Sequence, residues 1–91
     1  MTVEVTDQVR DFVRSLPPAP RSKVRAALRK LEQERGDIKA LEGPLDNYFR
    51  LRVGPYRVIF KYHLAGETRS IRCDFAEKRS IVYEAFIHFI E

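Results

Sequence analysis

The chain has a single cysteine, Cys73, so it cannot close a disulfide within itself. A lone thiol suits a reducing cytoplasm, where disulfides do not persist. No run approaches the ~20 apolar residues that cross a bilayer. The start, Met1-Thr2-Val3-Glu4-Val5, carries neither the charged n-region nor the apolar h-region of a signal peptide. The two histidines, His63 and His88, are scattered and lack metal-ligand spacing with Cys73. Glycine-rich phosphate loops and nucleophile motifs are missing as well. These gaps argue against a disulfide scaffold, a membrane span, a metal centre and a resident cofactor.

What remains is enough for one domain over residues 1–91. A chain this short buries roughly two-thirds of its unfolded surface. Its apolar content of 44% still supports one modest core. The 17 Lys and Arg exceed the 13 Asp and Glu, for a net charge of +4. That surplus fits a nucleic-acid or acidic-protein partner.

Apolar spacing supplies the elements. Thr2 to Val5 reads as a short strand. Thr6 then caps a helix whose inward stripe is Val9, Phe12, Val13 and Leu16. Pro17, Pro18 and Pro20 form a stiff corner. A second helix is expected from about residue 21 to 35, with Val24, Ala27, Leu28 and Leu31 inward and Gly36 as its C-terminal cap. Residues 37–47 read as connecting structure. The stretch Tyr48 to Phe60 has two alternating runs around Gly54-Pro55, the pattern of a β-hairpin. Leu64 to Glu67 marks another turn. Arg69 to Phe75 is the following strand, with Ile71, Cys73 and Phe75 expected on one side. Arg79 or Ser80 opens a last helix with Ile81, Val82, Ala85, Phe86, Phe89 and Ile90 as its apolar face. The order is β-α-α-β-β-β-α, an α+β fold with helices on an antiparallel sheet.

The hairpin is the most informative segment. Side chains two apart on a strand share a face. Phe49, Leu51 and Val53 therefore seal the core, while Tyr48, Arg50 and Arg52 point the other way. Guanidinium groups match the bidentate geometry of phosphate oxygens.

Together, the element order, the stretch LEGPLDNYFRLRVGPYRVIF and the tail KRSIVYEAF resemble the RelE/ParE toxin superfamily of bacterial toxin–antitoxin modules. The shared pattern is a leucine before the hairpin, a basic-apolar-basic strand, Gly-x-Tyr-Arg, and a late arginine four residues before a tyrosine. Here these are Leu41, Arg50-Leu51-Arg52, Gly54-Pro55-Tyr56-Arg57, Arg79 and Tyr83. The resemblance implies a small α+β toxin that enters the ribosomal A site and cleaves messenger RNA without a metal. The RNA's own 2′-hydroxyl attacks the adjacent phosphate. It also implies a cognate antitoxin partner. The gyrase-targeting ParE branch shares the hairpin, and a member that only binds its antitoxin is a further alternative.

The resemblance gives Arg57 the role of clamping the scissile phosphate, against a salt bridge on the sheet surface. Its side chain faces away from the apolar set, so Arg57→Ala is expected to leave the fold intact. Arg50 stands where RelE-type proteins usually carry lysine; it can stabilise charge but is a poor base. Arg52 either binds RNA or is solvated. Tyr48 either stacks on a base or covers the sheet edge. Arg79 is implied to bind phosphate or to protonate the leaving 5′-oxygen; arginine is an unusual general acid, so charge stabilisation is the expected role. Tyr83 is implied to stack or transfer a proton, against packing beside Val82 and Phe86. Lys78 and Lys61 extend the cationic face as RNA-binding candidates. Glu77 and Glu84 are weaker base candidates, and His63 and His88 are bystanders. The last helix reads as core, with antitoxin docking as its alternative.

Overall fold

The computed structural model describes residues 1–91. Its strands are β1 (Thr2–Val5), β2 (Asp37–Ala40), β3 (Phe49–Val53), β4 (Tyr56–Ala65) and β5 (Thr68–Lys78). Its helices are α1 (Asp7–Ser15), α2 (Pro18–Leu31) and α3 (Val82–Ile90), with a short 3-10 turn at Gly43–Leu45. The sheet runs β1-β5-β4-β3-β2. The expected α+β class is present, with two differences. The sheet has five strands, and it is mixed rather than antiparallel, because β1 lies parallel to β5.

The strand missed in the sequence is β2, where Ile38 pairs with Leu51 and Asp37 with Arg52. In Asp-Ile-Lys-Ala only Ile38 is a strong strand former, and polar residues on a short edge strand blur the alternation. The antiparallel expectation fails at β1 because alternation is the same for parallel and antiparallel pairing and does not give a strand's direction.

Thr6 begins α1 as expected: its Oγ1 accepts from the Val9 amide at 3.4 Å. The hydroxyl also donates to the Asp74 carbonyl at 3.0 Å, tying the helix start to β5. One residue into the helix, the Gln8 side-chain amide donates to the Ala76 carbonyl and accepts from the Ala76 amide, both at 2.8 Å. It continues the β1–β5 edge after the β1 backbone has turned away.

α2 starts earlier than expected. Pro18 and Pro20 sit inside its first turn, where no intrahelical N–H bond is required. It also ends earlier, at Leu31. The Arg35 amide donates to Lys30 and the Glu34 amide to Leu31, with Glu34 at φ 54°, which is a Schellman closure. Glu34 thus takes the left-handed position expected of Gly36. Gly36, at φ 131°, lies against β3, and a Cβ there would come within 2.8 Å of Leu51 Cδ1.

The two sheet faces are covered separately. α1 and α2 enclose Val9, Val13, Val24 and Leu31 with Leu51, Val58, Phe60, Ile71 and Cys73. On the opposite face α3 packs Val82 and Phe86 on Ile59, Phe75 and Leu45. Phe75 is therefore not on the side of Ile71 and Cys73. The cause is a β-bulge: Ile59 pairs with Phe75 and Phe60 with Cys73, leaving Asp74 as the extra residue. The phase of β5 changes there, so Phe75 and Glu77 face α3. Asp74 is only 6% exposed; its Oδ1 accepts from Arg72 Nε at 2.7 Å.

α3 opens at Val82, not at Arg79 or Ser80, and no side chain caps it. The Arg79 amide is instead held by the Pro55 carbonyl at 2.8 Å. That bond keeps the segment before α3 beside the β3–β4 turn. No helix is long and apolar enough to cross a membrane.

Candidate functional site

The site begins at the β3–β4 turn. Val53 pairs with Tyr56, so Gly54-Pro55 is a two-residue connection. Gly54 has φ 56°, which its missing Cβ tolerates, and proline follows. A positive φ before a proline suits a type II′ turn, whose twist matches the flanking strands. The turn is braced by Arg57, whose Nη1 donates to the Gly54 carbonyl at 2.8 Å and the Tyr56 carbonyl at 2.9 Å.

Arg57 is consequently 6% exposed. The sequence expectation of a side chain irrelevant to the fold is corrected by these two bonds. The guanidinium still borders open space. With Arg50, Arg52, Arg79 and Tyr83 it lines a basin of about 540 Å³. Cross-strand register explains the convergence: Arg52 pairs with Arg57, and Arg50 with Ile59 on the same face. Arg79 arrives from the far end of β5 through its bond to Pro55. Tyr83, half-buried in the first turn of α3, closes one wall.

Like charges this close need compensation, and Asp37 provides some. Its carboxylate Oδ1 accepts from Arg50 Nη1 at 3.1 Å, and its carbonyl accepts from the same nitrogen at 2.9 Å. The other carboxylate oxygen stands 4.0 Å from Arg52. Arg50 is well covered, with 16% of its side chain exposed against 57% for Arg52. Arg79 is exposed and has no carboxylate partner among the ion pairs of the molecule. The cluster therefore combines held cations (Arg50, Arg57) with freer ones (Arg52, Arg79). Asp37 escaped the sequence reading because β2 did; once β2 is paired to β3, it falls opposite Arg52.

An adjoining cavity of about 490 Å³ shares Arg52, Arg57 and Arg79 and adds Lys78 and Ser80. Tyr48 and Lys61 are on the same sheet face but outside the basin. The Tyr48 ring meets Phe86 edge-on at 5.0 Å, and Lys61 Nζ sits 5.2 Å from the centre of the Tyr48 ring. Glu77 lies opposite Arg57 in the ladder, yet its Oε1 accepts from the Lys78 amide at 2.9 Å. Glu84 and His88 are exposed on α3, and His63 is half-buried on β4. Cys73 is fully buried, and burial pushes its thiol up to about 12, with Asp74 adding to the shift. It is no nucleophile at neutral pH.

No family model and no curated protein matches the sequence. Solved structures do. A YoeB/ParE toxin from Agrobacterium tumefaciens aligns over 87% of this chain and 99% of its own, with a TM-score of 0.69 at 14% identity. The RelBE2 toxin–antitoxin complex from Mycobacterium tuberculosis matches at 26% identity and a TM-score of 0.69, covering 86% of this chain and 96% of the other. The archaeal RelE–RelB complex from Pyrococcus horikoshii matches at 30% identity and a TM-score of 0.65, over 86% of this chain and 93% of that one. With that identity over nearly the full length of the archaeal chain, the protein belongs to the RelE/ParE toxin superfamily.

Proposed function

We propose that the protein is the toxin of a type II toxin–antitoxin module and a ribosome-dependent endoribonuclease acting on messenger RNA. The observation that carries this reading is the arginine basin. Four guanidinium groups and one phenol line it, and no carboxylate does.

The chemistry suits that composition. The 2′-oxygen of the nucleotide before the cut attacks its own 3′-phosphate. The P–O5′ bond breaks, leaving a 2′,3′-cyclic phosphate and a 5′-hydroxyl. Negative charge gathers on the equatorial oxygens in the transition state. Cations already fixed at that point lower the barrier by a few kcal/mol each, as in other preorganised electrostatic sites. Arg57 is fixed by its two turn carbonyls and Arg50 by Asp37, so neither must be ordered during the reaction. Arg79 supplies the cation most free to meet the phosphate. Tyr83 offers a ring for stacking and a hydroxyl for the leaving oxygen. The nucleophile comes from the RNA, so no metal-bound water is needed. The arginines stay protonated and supply charge rather than a base.

On this reading the 91 residues act as one toxin domain in the cytoplasm, silenced by a cognate antitoxin. The RelB-bound neighbours support such a partner. An acidic, flexible segment would complement the +4 charge. The test is induction in cells with mapping of RNA 5′ ends while DNA-damage signalling is followed. Codon-phased cuts, lost in Arg79→Ala and reduced ~100-fold or more in rate, are expected from the loss of one stabilising donor. Damage signalling with intact message would instead assign the chain to gyrase poisoning, and neither response would leave an antitoxin-binding protein without activity.

A further inference from the structure

The arginine basin is one end of a longer track. Its neighbour, which shares Arg52, Arg57 and Arg79 with it, continues over Gly54, Pro55 and Tyr56. Those three residues also line a third cavity of about 290 Å³, completed by Ala19, Pro20, Lys23 and Val53. The track thus passes around the β3–β4 turn, from the α3 face of the sheet to the start of α2.

Its character changes along the way. The basin is lined by cations, and the middle carries Lys78 and Arg79. The far end is mainly apolar, with Lys23 as its one charge. Pro20 and Pro55 are rigid, so their walls lose little freedom when something docks. The Tyr56 ring is fixed edge-on against Phe12 at 5.6 Å. Lys23 is exposed and has no acidic partner. Backbone amides are not the attraction, because Pro18 and Pro20 have none.

A mainly apolar cavity with one cation beside it matches a nucleobase and its phosphate. We propose that this third cavity is a nucleotide subsite, seating the base one nucleotide beyond the pair joined by the cleaved phosphodiester, between Pro20, Pro55 and Tyr56, with Lys23 on its phosphate. This rests on the reading of the basin as an RNA site and extends it. The substrate is then a single strand of at least three nucleotides bent around the turn, since a duplex cannot splay a base into a slot of this size. The proline corner of the sequence becomes one wall of that slot.

Binding of short RNAs to the full chain tests this. The probes are a dinucleotide and a tetranucleotide, each carrying a 2′-O-methyl group at every ribose to block cleavage. In the unaltered protein the longer probe should bind roughly tenfold more tightly, the scale of one stacked base. Ala19→Trp, an exposed position, fills the slot and should erase that gain. Lys23→Gln should flatten the dependence of log affinity on log salt by ~0.7 for the tetranucleotide only. A tenfold gain that survives both substitutions overturns the subsite, as does an unaltered protein that binds neither probe or shows no gain. Message cleavage in cells is scored separately. Intact cleavage without the length effect removes the subsite and leaves the nuclease standing, whereas a length effect without cleavage removes the nuclease and keeps the RNA track.

Discussion

Arg57 has two tasks that pull in different directions. Its Nη1 ties together the carbonyls of the turn, while the rest of the guanidinium faces the basin. Removing it takes that donor from two partly buried carbonyls of the turn. Arg57→Ala should therefore lose both growth inhibition and about 2 kcal/mol of stability, from charged hydrogen bonds to backbone. Urea denaturation reads the second effect; an unchanged midpoint would mean the turn holds its shape unaided. Arg79→Ala, by contrast, removes an exposed side chain and should keep the parent midpoint, which makes it the cleaner probe of chemistry. Cys73 allows a second residue-level test. Burial raises its thiol from 9.0 to about 12, and burial and Glu34 raise the Tyr62 hydroxyl as well. A raised value means the unfolded chain releases these protons first. Stability should be level below pH ~9 and decline as the pH climbs from there towards 12. Cys73→Ala should decline less steeply over that interval, by denaturant midpoints at several pH values; an identical slope would show that the thiol does not couple to folding.

Elements differ in how far their residues announce them. The α1 stripe, its threonine cap and both hairpin turns were legible because each is a local signal of three to eight residues. The division of β3 into an arginine face and a core face was legible for the same reason: period two needs no knowledge of neighbours. β2 was not, because its identity comes from pairing with β3 rather than from its own composition. Nor was the packing of the half-buried Tyr48 on Phe86, which depends on where α3 lies. Asp37 is hidden twice over, lying on an unrecognised strand and meeting Arg50 across it. Gly36 sits at the start of that region and gives an element-level prediction. Its φ of 131° and the 2.8 Å approach of Leu51 Cδ1 leave no room for a methyl group. Gly36→Ala should cost about 2 kcal/mol or more through strain and displacement of Leu51. Since Arg50 and Arg52 flank Leu51, cleavage should fall too. A Gly36→Ala protein with parent stability would show that β2 and the α2 end can shift freely.

At the scale of the molecule, the sheet is a partition. One face carries the larger core under α1 and α2; the other carries α3 and, beyond its edge, the basin. Both cores share the strands between them, so Val58 and Ile59, adjacent in sequence, are each fully buried on opposite sides. This double burial makes β4 a nearly continuous apolar run from Val58 to Phe60, which pattern reading takes in its stride. What pattern reading does not foresee is the extra residue in β5. A bulge has no signature in composition, and here it is a charged residue whose carboxylate meets Arg72 and whose carbonyl receives Thr6.

Asp74 acts as a phase-shifter between two halves of a strand. Delete that one residue and the ladder closes without a bulge, because Cys73 and Phe75 already pair with the adjacent Phe60 and Ile59. Phe75 would stay opposite Ile59 and Glu77 opposite Arg57, while the carbonyl that receives Thr6 and the carboxylate that meets Arg72 would be lost. The resulting protein should keep its β-sheet signal by circular dichroism and still cut message, at a lower denaturant midpoint because the start of α1 has lost its tie to β5. A folded deletion variant without toxicity would mean that the local twist of the bulge, and not the pairing beyond it, sets the place of the late arginine. The supernumerary amino acid thus fastens the first helix to the sheet and leaves undisturbed the ladder that leads to the basin.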